Sequence, residues 1–358
     1  MLNVDASKLK RDTVQLQNEF VLNDYIIDLA WSPCSKQVVA VTVEGYVFLV
    51  DIEKRLKSCE PMGNHKIGCN SVSWSPHASQ FATAGQDSKV SIWDSSSKAK
   101  FLELDAGGDW VSNVAYNPCK KQLASGASRT VKIWNEDYNL IYESADHSST
   151  IADIGWNPDG SGLAVAAYNG ITLHVPKKQR QPRKYEWKGS SLALAWSPDA
   201  KYIATGEQDS TVHFWRVKSG AHAQMWGFAT KVLQLSWSMD GRWLATGGGN
   251  SVCLWDCSGK GPEGRQPKQY EAHSNKITNL AFQPDGPFLV STDLDNSLVV
   301  WEPLKHNKIV GGCLLSSPAS SISWSKNGLL AVGQKNGKLS IFQIKNLYKI
   351  KLDIVSFS

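Results

Sequence analysis

The feature that most constrains this chain is a short phrase, an aromatic residue followed by a polar residue and usually proline, that recurs eight times. Successive copies are 40 to 45 residues apart, so they cover nearly all of the 358 residues. The first residues of the copies, which we call the anchors, are Trp31, Trp74, Tyr116, Trp156, Trp196, Trp237, Phe282 and Trp324. A period of this length indicates a repeat architecture, in which each unit buries its apolar faces against its neighbours.

Each repeat has the pattern of several short β-strands. A second phrase, in most repeats a tryptophan and a polar residue such as Trp93-Asp94, lies 18 or 19 residues after the anchor. The segment 89–93 before it alternates polar and apolar residues over most of its length, as a half-buried strand does. We find no sustained helical periodicity, so the sequence predicts an all-β chain. The repeats also account for most of the 15 tryptophans.

These phrases and their spacing resemble the WD40 repeat family over residues 13–344. The resemblance implies a single β-propeller, whose four-stranded antiparallel blades surround a central channel. Eight anchors predict eight blades, and seven, the commoner number in the family, is the alternative. Residues 1–12 are expected to be an N-terminal tail, and residues 345–358 a C-terminal strand or tail.

A propeller has to close its ring, because an open ring would expose an apolar blade face and sheet edges. Residues 13–20 alternate polar and apolar side chains and can supply the outer strand of the last blade. Residues 348–354 also alternate and compete for that position. The sequence leaves open which segment closes the ring.

Composition and charge give no support for nucleic-acid binding, a membrane span or secretion. The net charge of +5 is too small on this length to imply nucleic-acid binding by itself. No run of about 18 apolar residues is present, and the N-terminus lacks the apolar core of a secretory signal. The seven cysteines are therefore expected to be reduced thiols in a cytoplasmic protein. We predict no metal and no cofactor.

In WD40 repeats a buried histidine, a serine or threonine, an aspartate and a tryptophan form a hydrogen-bonded chain within a blade. The resemblance implies two full sets in this sequence: His65, Thr83, Asp87 and Trp93 in repeat 2, and His273, Ser291, Asp295 and Trp301 in repeat 7. In repeat 5, Trp187 occupies the histidine position, which predicts a shortened chain. Although these sets look like hydrolase triads, they recur at repeat-periodic positions and no Gly-x-Ser-x-Gly elbow is present. We therefore interpret them as structural and predict that the protein is not an enzyme.

The resemblance also implies a partner-binding surface. In the family, contact residues on the narrow top face lie six and four residues before the anchor and just before a turn aspartate. The residues predicted at these positions are Tyr25, Ile27, Asn70, Gln86, Trp110, Tyr168, Gln208, Lys231, Leu233, Lys276, Leu294 and Lys335. Large aromatic side chains lie here beside a group of lysines, Lys231, Lys276 and Lys335, which we call the lysine sector. Such a combination is typical of protein interfaces that receive acidic or phosphorylated segments. The sequence thus favours a non-catalytic scaffold, a monomeric propeller that docks partner proteins within a larger complex.

Two other functions remain open at this stage. A basic run can bind nucleic acid or an anionic membrane surface, although a solvated loop is the simpler interpretation. Its residues are Lys177, Lys178, Arg180, Arg183 and Lys184. An enzyme with a pocket in the central channel is the weakest hypothesis, because Asp28 and Asp153 are the only carboxylates at the predicted channel-lining positions.

Overall fold

The computed structural model describes residues 13–54, 59–107, 109–176, 181–304 and 308–345. Within these ranges the chain forms β-strands and no α-helix, as the alternating pattern predicts. No helix of the described part is long and apolar enough to cross a bilayer. The strands are β1 (Val14–Val21), β2 (Ile26–Trp31), β3 (Gln37–Thr42), β4 (Tyr46–Asp51), β5 (Gly63–Asn64), β6 (Cys69–Trp74), β7 (Gln80–Gly85), β8 (Lys89–Asp94), β9 (Ala99–Asp105), β10 (Val111–Tyr116), β11 (Leu123–Ala127), β12 (Thr130–Trp134), β13 (Leu140–Glu143), β14 (Asp153–Trp156), β15 (Leu163–His174), β16 (Arg183–Trp196), β17 (Tyr202–Glu207), β18 (Val212–Arg216), β19 (His222–Met225), β20 (Leu235–Trp237), β21 (Trp243–Thr246), β22 (Ser251–Asp256), β23 (Lys268–Glu271), β24 (Ile277–Phe282), β25 (Leu289–Asp293), β26 (Ser297–Glu302), β27 (Lys308–Leu314), β28 (Ala319–Trp324), β29 (Leu329–Gln334) and β30 (Lys338–Ile344).

Hydrogen bonds join the described strands into seven antiparallel sheets, six of four strands and one of six strands. Counted as hydrogen-bonded sheets, the propeller has seven blades, so our prediction of eight four-stranded blades was wrong and the alternative of seven is confirmed. The six-stranded sheet holds repeats 4 and 5. It is continuous because β15 pairs with β14 through its first half and with β16 through its second half. The last six residues of β16 in turn pair with β17.

All eight repeats contribute an innermost strand to the ring, although two of them share one sheet. The inner strands follow one another in chain order around the channel, and β28 lies beside β2. The inner-strand segment of repeat 5 is the second half of β16. The sequence therefore contains eight repeats, whereas the described strands form seven sheets.

The tryptophan anchors tie neighbouring inner strands together. In five repeats the anchor indole N–H donates to a backbone carbonyl of the preceding inner strand. These bonds run from Trp31 to Ser323, from Trp156 to Ala115, from Trp196 to Gly155, from Trp237 to Ala195 and from Trp324 to Ala281, over 2.9 to 3.3 Å. The anchors thus link consecutive repeats as well as fill their cores.

The N-terminal strand closes the ring. β1 pairs antiparallel with β30 over its whole length, from the Val14–Ile344 pair to the Val21–Lys338 pair. The competing segment 348–354 and the predicted tail 1–12 lie outside the described residues. Because β1 precedes the first repeat and β30 belongs to the last, the two ends of the propeller share one sheet.

The core lies between neighbouring repeats rather than within one. In one cluster Phe20, Leu339 and Ile341 of the closing sheet pack with Ile26 and Leu29 of repeat 1. The other clusters likewise combine side chains from consecutive repeats. This packing removes both apolar faces of every sheet from water, which one blade alone could not do.

We expect Phe20→Ala to destabilise the protein by about 3 to 5 kcal/mol, because the ring is fully buried and its removal leaves a cavity at the closure. Urea denaturation followed by tryptophan fluorescence measures the change. Leu16→Ala is the matched control on the same strand, where half of the side chain is exposed, and should change the free energy of unfolding by less than about 0.5 kcal/mol. Equal effects of the two variants would contradict the closure.

Candidate functional site

The hydrogen-bonded chain of repeat 2 forms as predicted. His65 Nδ1 lies 2.9 Å from Asp87 Oδ1, and His65 Nε2 lies 2.8 Å from Thr83 Oγ1. Trp93 Nε1 donates to the same hydroxyl over 2.8 Å. His65 and Thr83 are buried within the sheet, where a substrate has no access to them. These residues therefore hold the blade together, because a buried network rigidifies a fold when its members are satisfied.

In repeat 7 the structure corrects one member of the predicted set. His273 Nδ1 lies 2.8 Å from Asp293 Oδ2, and not from Asp295, while Ser291 and Trp301 take their predicted places. Asp295 is exposed and accepts hydrogen bonds from Ser274 and Asn275.

The reason lies in the position two residues after the strand hydroxyl. In repeat 2 this position is Gly85, and a Cβ there would come within 2.2 Å of both His65 Nδ1 and Asp87 Oδ1. A carboxylate at the same position, as in Asp293, fills the space beside the histidine directly. The turn aspartate is then displaced to the surface.

Repeat 5 uses the same position in a third way. Glu207 accepts hydrogen bonds from Thr205 over 2.6 Å and from Ser191 over 2.9 Å, and Trp215 donates to Thr205 over 3.1 Å. Burial raises the pKa of the Glu207 carboxyl, and the two hydroxyls oppose that rise. This hydrogen-bonded chain of repeat 5 contains no histidine, in agreement with Trp187 at the histidine position.

Repeat 4 replaces the closing tryptophan by a histidine. His174 Nε2 lies 3.2 Å from His147 Nε2, and the Tyr142 hydroxyl lies 2.8 Å from His174 Nδ1. Burial lowers the pKa of His147 to about 4, helped by the charge of Lys184. Burial and the neighbouring imidazole lower the pKa of His174 to about 3. Both imidazoles are therefore neutral near pH 7.

The two channel carboxylates act as bridges between inner strands. Asp28 accepts the backbone N–H of Val72 over 3.0 Å, and Asp153 accepts that of Leu194 over 2.9 Å. Burial raises the pKa of each carboxyl to about 6, and these hydrogen bonds oppose the rise. Each acceptor serves the next repeat, so both residues have a structural use that needs no ligand.

The predicted contact positions lie at one end of the ring, which we call the top face. It is formed by the connections that lead into each inner strand and by those between the second and third strands of a repeat. The structure brings the two kinds of connection together: the Leu294 N–H donates to the Lys276 carbonyl, and the Gln208 N–H to that of Ser190. The same bond recurs between Val43 and Tyr25 and between Lys335 and Pro318.

The exposure of the predicted residues divides them into two groups. Half-buried are Tyr25, Ile27, Asn70, Gln86 and Lys276; exposed are Trp110, Tyr168, Gln208, Lys231, Leu233, Leu294 and Lys335. The structure brings Tyr25 and Lys335 together across the closure, with the ammonium 5.9 Å from the ring centroid.

Several positions four residues before the anchor have structural partners. They are β-bulge residues, which break the register between the first two strands in six repeats. Asn70 donates to the Val111 carbonyl over 2.8 Å and accepts from Gln86 over 3.1 Å. A bulge redirects a side chain locally, and here it directs Asn70 toward the next inner strand.

The sequence pattern did not single out Trp226. It lies in the connection between β19 and β20, on the top face, and 72% of its side chain is exposed. For comparison, Trp110 is 61% exposed. The available signal was its position outside every repeated phrase, eleven residues before the anchor Trp237 and directly before Gly227.

The basic run is described only in part. Lys177, Lys178 and Arg180 lie outside the described residues. Arg183 donates to the carbonyls of Val217 and Lys218 and stacks on the Tyr185 ring at 4.9 Å. Its guanidinium is thus bound to repeat 5, while the side chain of Lys184 is exposed.

The closed ring and the repeated networks define a WD40 β-propeller. Comparison with family models agrees: the model for the IFT122 first β-propeller matches residues 25–260, and the WD domain, G-beta repeat model matches residues 264–302. Since the first match covers more than half of the chain, the chain belongs to the family of IFT122 first β-propellers.

Curated relatives are distant in sequence. WD repeat-containing protein slp1 of Schizosaccharomyces pombe is 24% identical over 319 residues, which cover 85% of this chain and 64% of that protein. Anaphase-promoting complex subunit cdc20 of Dictyostelium discoideum is 25% identical over 328 residues, covering 86% and 63%. The intraflagellar transport protein 122 homolog of Xenopus tropicalis is 28% identical over 176 residues, covering 49% and 14%. The chain thus spans less than two thirds of the length of these relatives.

Among solved structures, the chain resembles the crystal structure of the computationally designed Ika8 protein. The TM-score is 0.76 at 18% identity, and the alignment covers 92% of this chain and 100% of the other. At this identity the likeness supports the fold alone.

The corrected network predicts unequal effects of two nearby aspartates. Asp293→Ala should destabilise by about 3 kcal/mol, because it leaves Nδ1 of the buried His273 without its carboxylate partner. Asp295→Ala should cost less than about 1 kcal/mol, since the residue is exposed. Chemical denaturation of the two variants compares them, and a larger loss for Asp295→Ala would restore the original assignment.

The neutral histidine pair predicts acid sensitivity. Unfolded histidines bind protons below about pH 6.5, whereas His147 and His174 resist protonation down to about pH 4 and 3 in the fold, so stability falls as the pH drops below 6.5. Between pH 7 and pH 5, the free energy of unfolding of His174→Phe should fall by roughly 2 kcal/mol less than that of the wild type. Denaturation curves at both pH values measure this, with the exposed His77→Gln as control. An unchanged pH dependence in His174→Phe would contradict the prediction.

Proposed function

We propose that this chain is a non-catalytic scaffold that docks partner proteins on its top face. The observation that carries the proposal is the group of exposed large apolar side chains in the top-face connections: Trp110, Tyr168, Trp226, Leu233 and Leu294. Large aromatic side chains dominate the binding energy of many protein interfaces. A partner that covers these side chains would remove their apolar surface from water.

The lysines of repeats 6 to 8 support an acidic or phosphorylated segment as the partner's contact. Lys231, Lys276 and Lys335 form no ion pair with any described residue, and two of them are exposed. Lys231 is two residues from Leu233, and Lys276 is hydrogen-bonded through its carbonyl to Leu294. Apolar contacts beside unpaired positive charge would combine affinity with electrostatic steering.

The names of the relatives support assembly with other proteins. One relative is called an anaphase-promoting complex subunit and another an intraflagellar transport protein. We infer that this chain likewise functions as part of a protein complex in the cytoplasm, as a monomeric propeller within it.

The test is recovery of partners by affinity purification from the native cell. We expect Trp110→Ala with Trp226→Ala to reduce the recovery of at least one partner more than tenfold, because the variant removes two exposed aromatic side chains of the top face. Met239→Ala is the matched control, a similarly exposed apolar residue at the opposite end of the ring. Thermal denaturation should show that all variants remain folded.

Charge reversal tests the lysine sector separately. Lys231→Glu with Lys276→Glu should weaken the same partner, and the weakening should be smaller at high salt, where electrostatic attraction is screened. Lys98→Glu with Lys326→Glu reverses the same number of charges at the opposite end and serves as control. Unchanged recovery in both top-face variants would overturn the proposal.

A further inference from the structure

A cleft opens at the other end of the ring, between repeats 2 and 3. Its volume is about 240 Å³, which is below the usual range for a whole small-molecule ligand and suits a single side chain. It lies between three turns: the turn after β6, the turn between β10 and β11, and the turn between β12 and β13. It is therefore separate from the top face and independent of the function proposed above.

The anchor of repeat 3 helps to form the cleft. Where five other anchors are tryptophans that donate to the preceding inner strand, Tyr116 carries a hydroxyl, which lies 2.9 Å from the Tyr138 hydroxyl. Tyr138 donates its proton to Gln80 Oε1 over 2.7 Å. Since Tyr138 has one proton to donate, Tyr116 is the donor in the first bond. This chain fixes both rings in the wall of the cleft.

Tyr138 occupies a backbone position that does not favour it. Its φ is +61°, in the left-handed region, where a bulky side chain is uncommon and glycine or asparagine is preferred. The turn alone would therefore be better served by a smaller residue. A tyrosine at this position is consistent with a role for its ring in the cleft.

The charges around the cleft favour a cation. Glu136 is paired with Lys121 over 3.0 Å, whereas the exposed Asp137 has no ion pair within the described residues. His77 is exposed on the opposite wall. One carboxylate therefore remains unmatched at the mouth, next to two tyrosine rings.

Apolar surface adjoins the mouth of the cleft. The Phe101 ring, which is 61% exposed, lies 6.3 Å from the Tyr138 ring, and Leu140 is 48% exposed on the outermost strand of repeat 3. Aromatic faces attract cations, and a carboxylate adds a charge-assisted hydrogen bond. Arginine suits both, because its planar guanidinium stacks on rings and presents several donors.

We propose that this cleft binds one arginine side chain of a partner protein, and that apolar residues beside that arginine contact Phe101 and Leu140. Asp137 pairs with the guanidinium, and Tyr116 and Tyr138 flank it. The occupant is a peptide segment of the partner from which this one side chain enters the cleft.

The experiment measures the fluorescence anisotropy of two labelled peptides with the whole chain. The first is acetyl-Gly-Leu-Arg-Leu-Gly-Cys-amide with the fluorophore on cysteine, and the second has glutamine for arginine. We expect the arginine peptide to bind at least tenfold more tightly. Asp137→Asn should weaken it at least fivefold and leave the glutamine peptide unchanged, whereas Asp109→Asn, an exposed aspartate of the top face, should change neither.

Tyr138→Asn separates binding from folding. Asparagine is better suited to the left-handed turn, so this variant should stay folded, as thermal denaturation can show, and yet lose binding of the arginine peptide. Equal binding of the two peptides, no binding of the arginine peptide at millimolar concentration, or full binding by Asp137→Asn would each overturn the proposal.

Discussion

Everything in this structure depends on closing a ring of units that are apolar on both faces. No repeat can satisfy its own core, because clusters such as that of Phe20, Ile26 and Ile341 draw side chains from neighbouring repeats. The pairing of β1 with β30 supplies the last contact, and it joins residues more than three hundred positions apart in sequence. Closure at this point removes the two exposed faces and the sheet edge that an open array would leave.

Within that ring, the repeats solve the same local problem with different residues. The position two residues after the strand hydroxyl is glycine in repeat 2, glutamate in repeat 5 and aspartate in repeat 7, and the choice decides which carboxylate bonds to the network. Asp28 and Asp153 likewise use a buried carboxylate to join strands, because each accepts a backbone N–H of the next inner strand. Polar side chains that look catalytic in sequence thus serve to join strands.

Much of the fold could be predicted from sequence, because anchor spacing reports buried geometry directly. Every anchor lies on or at the end of an inner strand, and the alternating segment 13–20 closes the ring as its pattern allowed. The spacing could not show that β15 and β16 run on and join repeats 4 and 5, since strand continuity depends on pairing. Nor could it choose Asp293 over Asp295, a matter of which carboxylate reaches His273. Trp226 and Tyr138 escaped notice because the conformation of connections, and not the repeat, determines their exposure.

We expect the β1–β30 pairing to hold the ring together as one cooperative unit. Native-state hydrogen exchange in low concentrations of denaturant tests it most directly, by comparing the amides of β1 with those of β14 in repeat 4. Both groups are expected to exchange through the same opening, with equal free energies and equal dependence on denaturant. Exchange of β1 at a much lower free energy, with β14 still fully protected, would contradict this expectation and show that the ring does not depend on its closure.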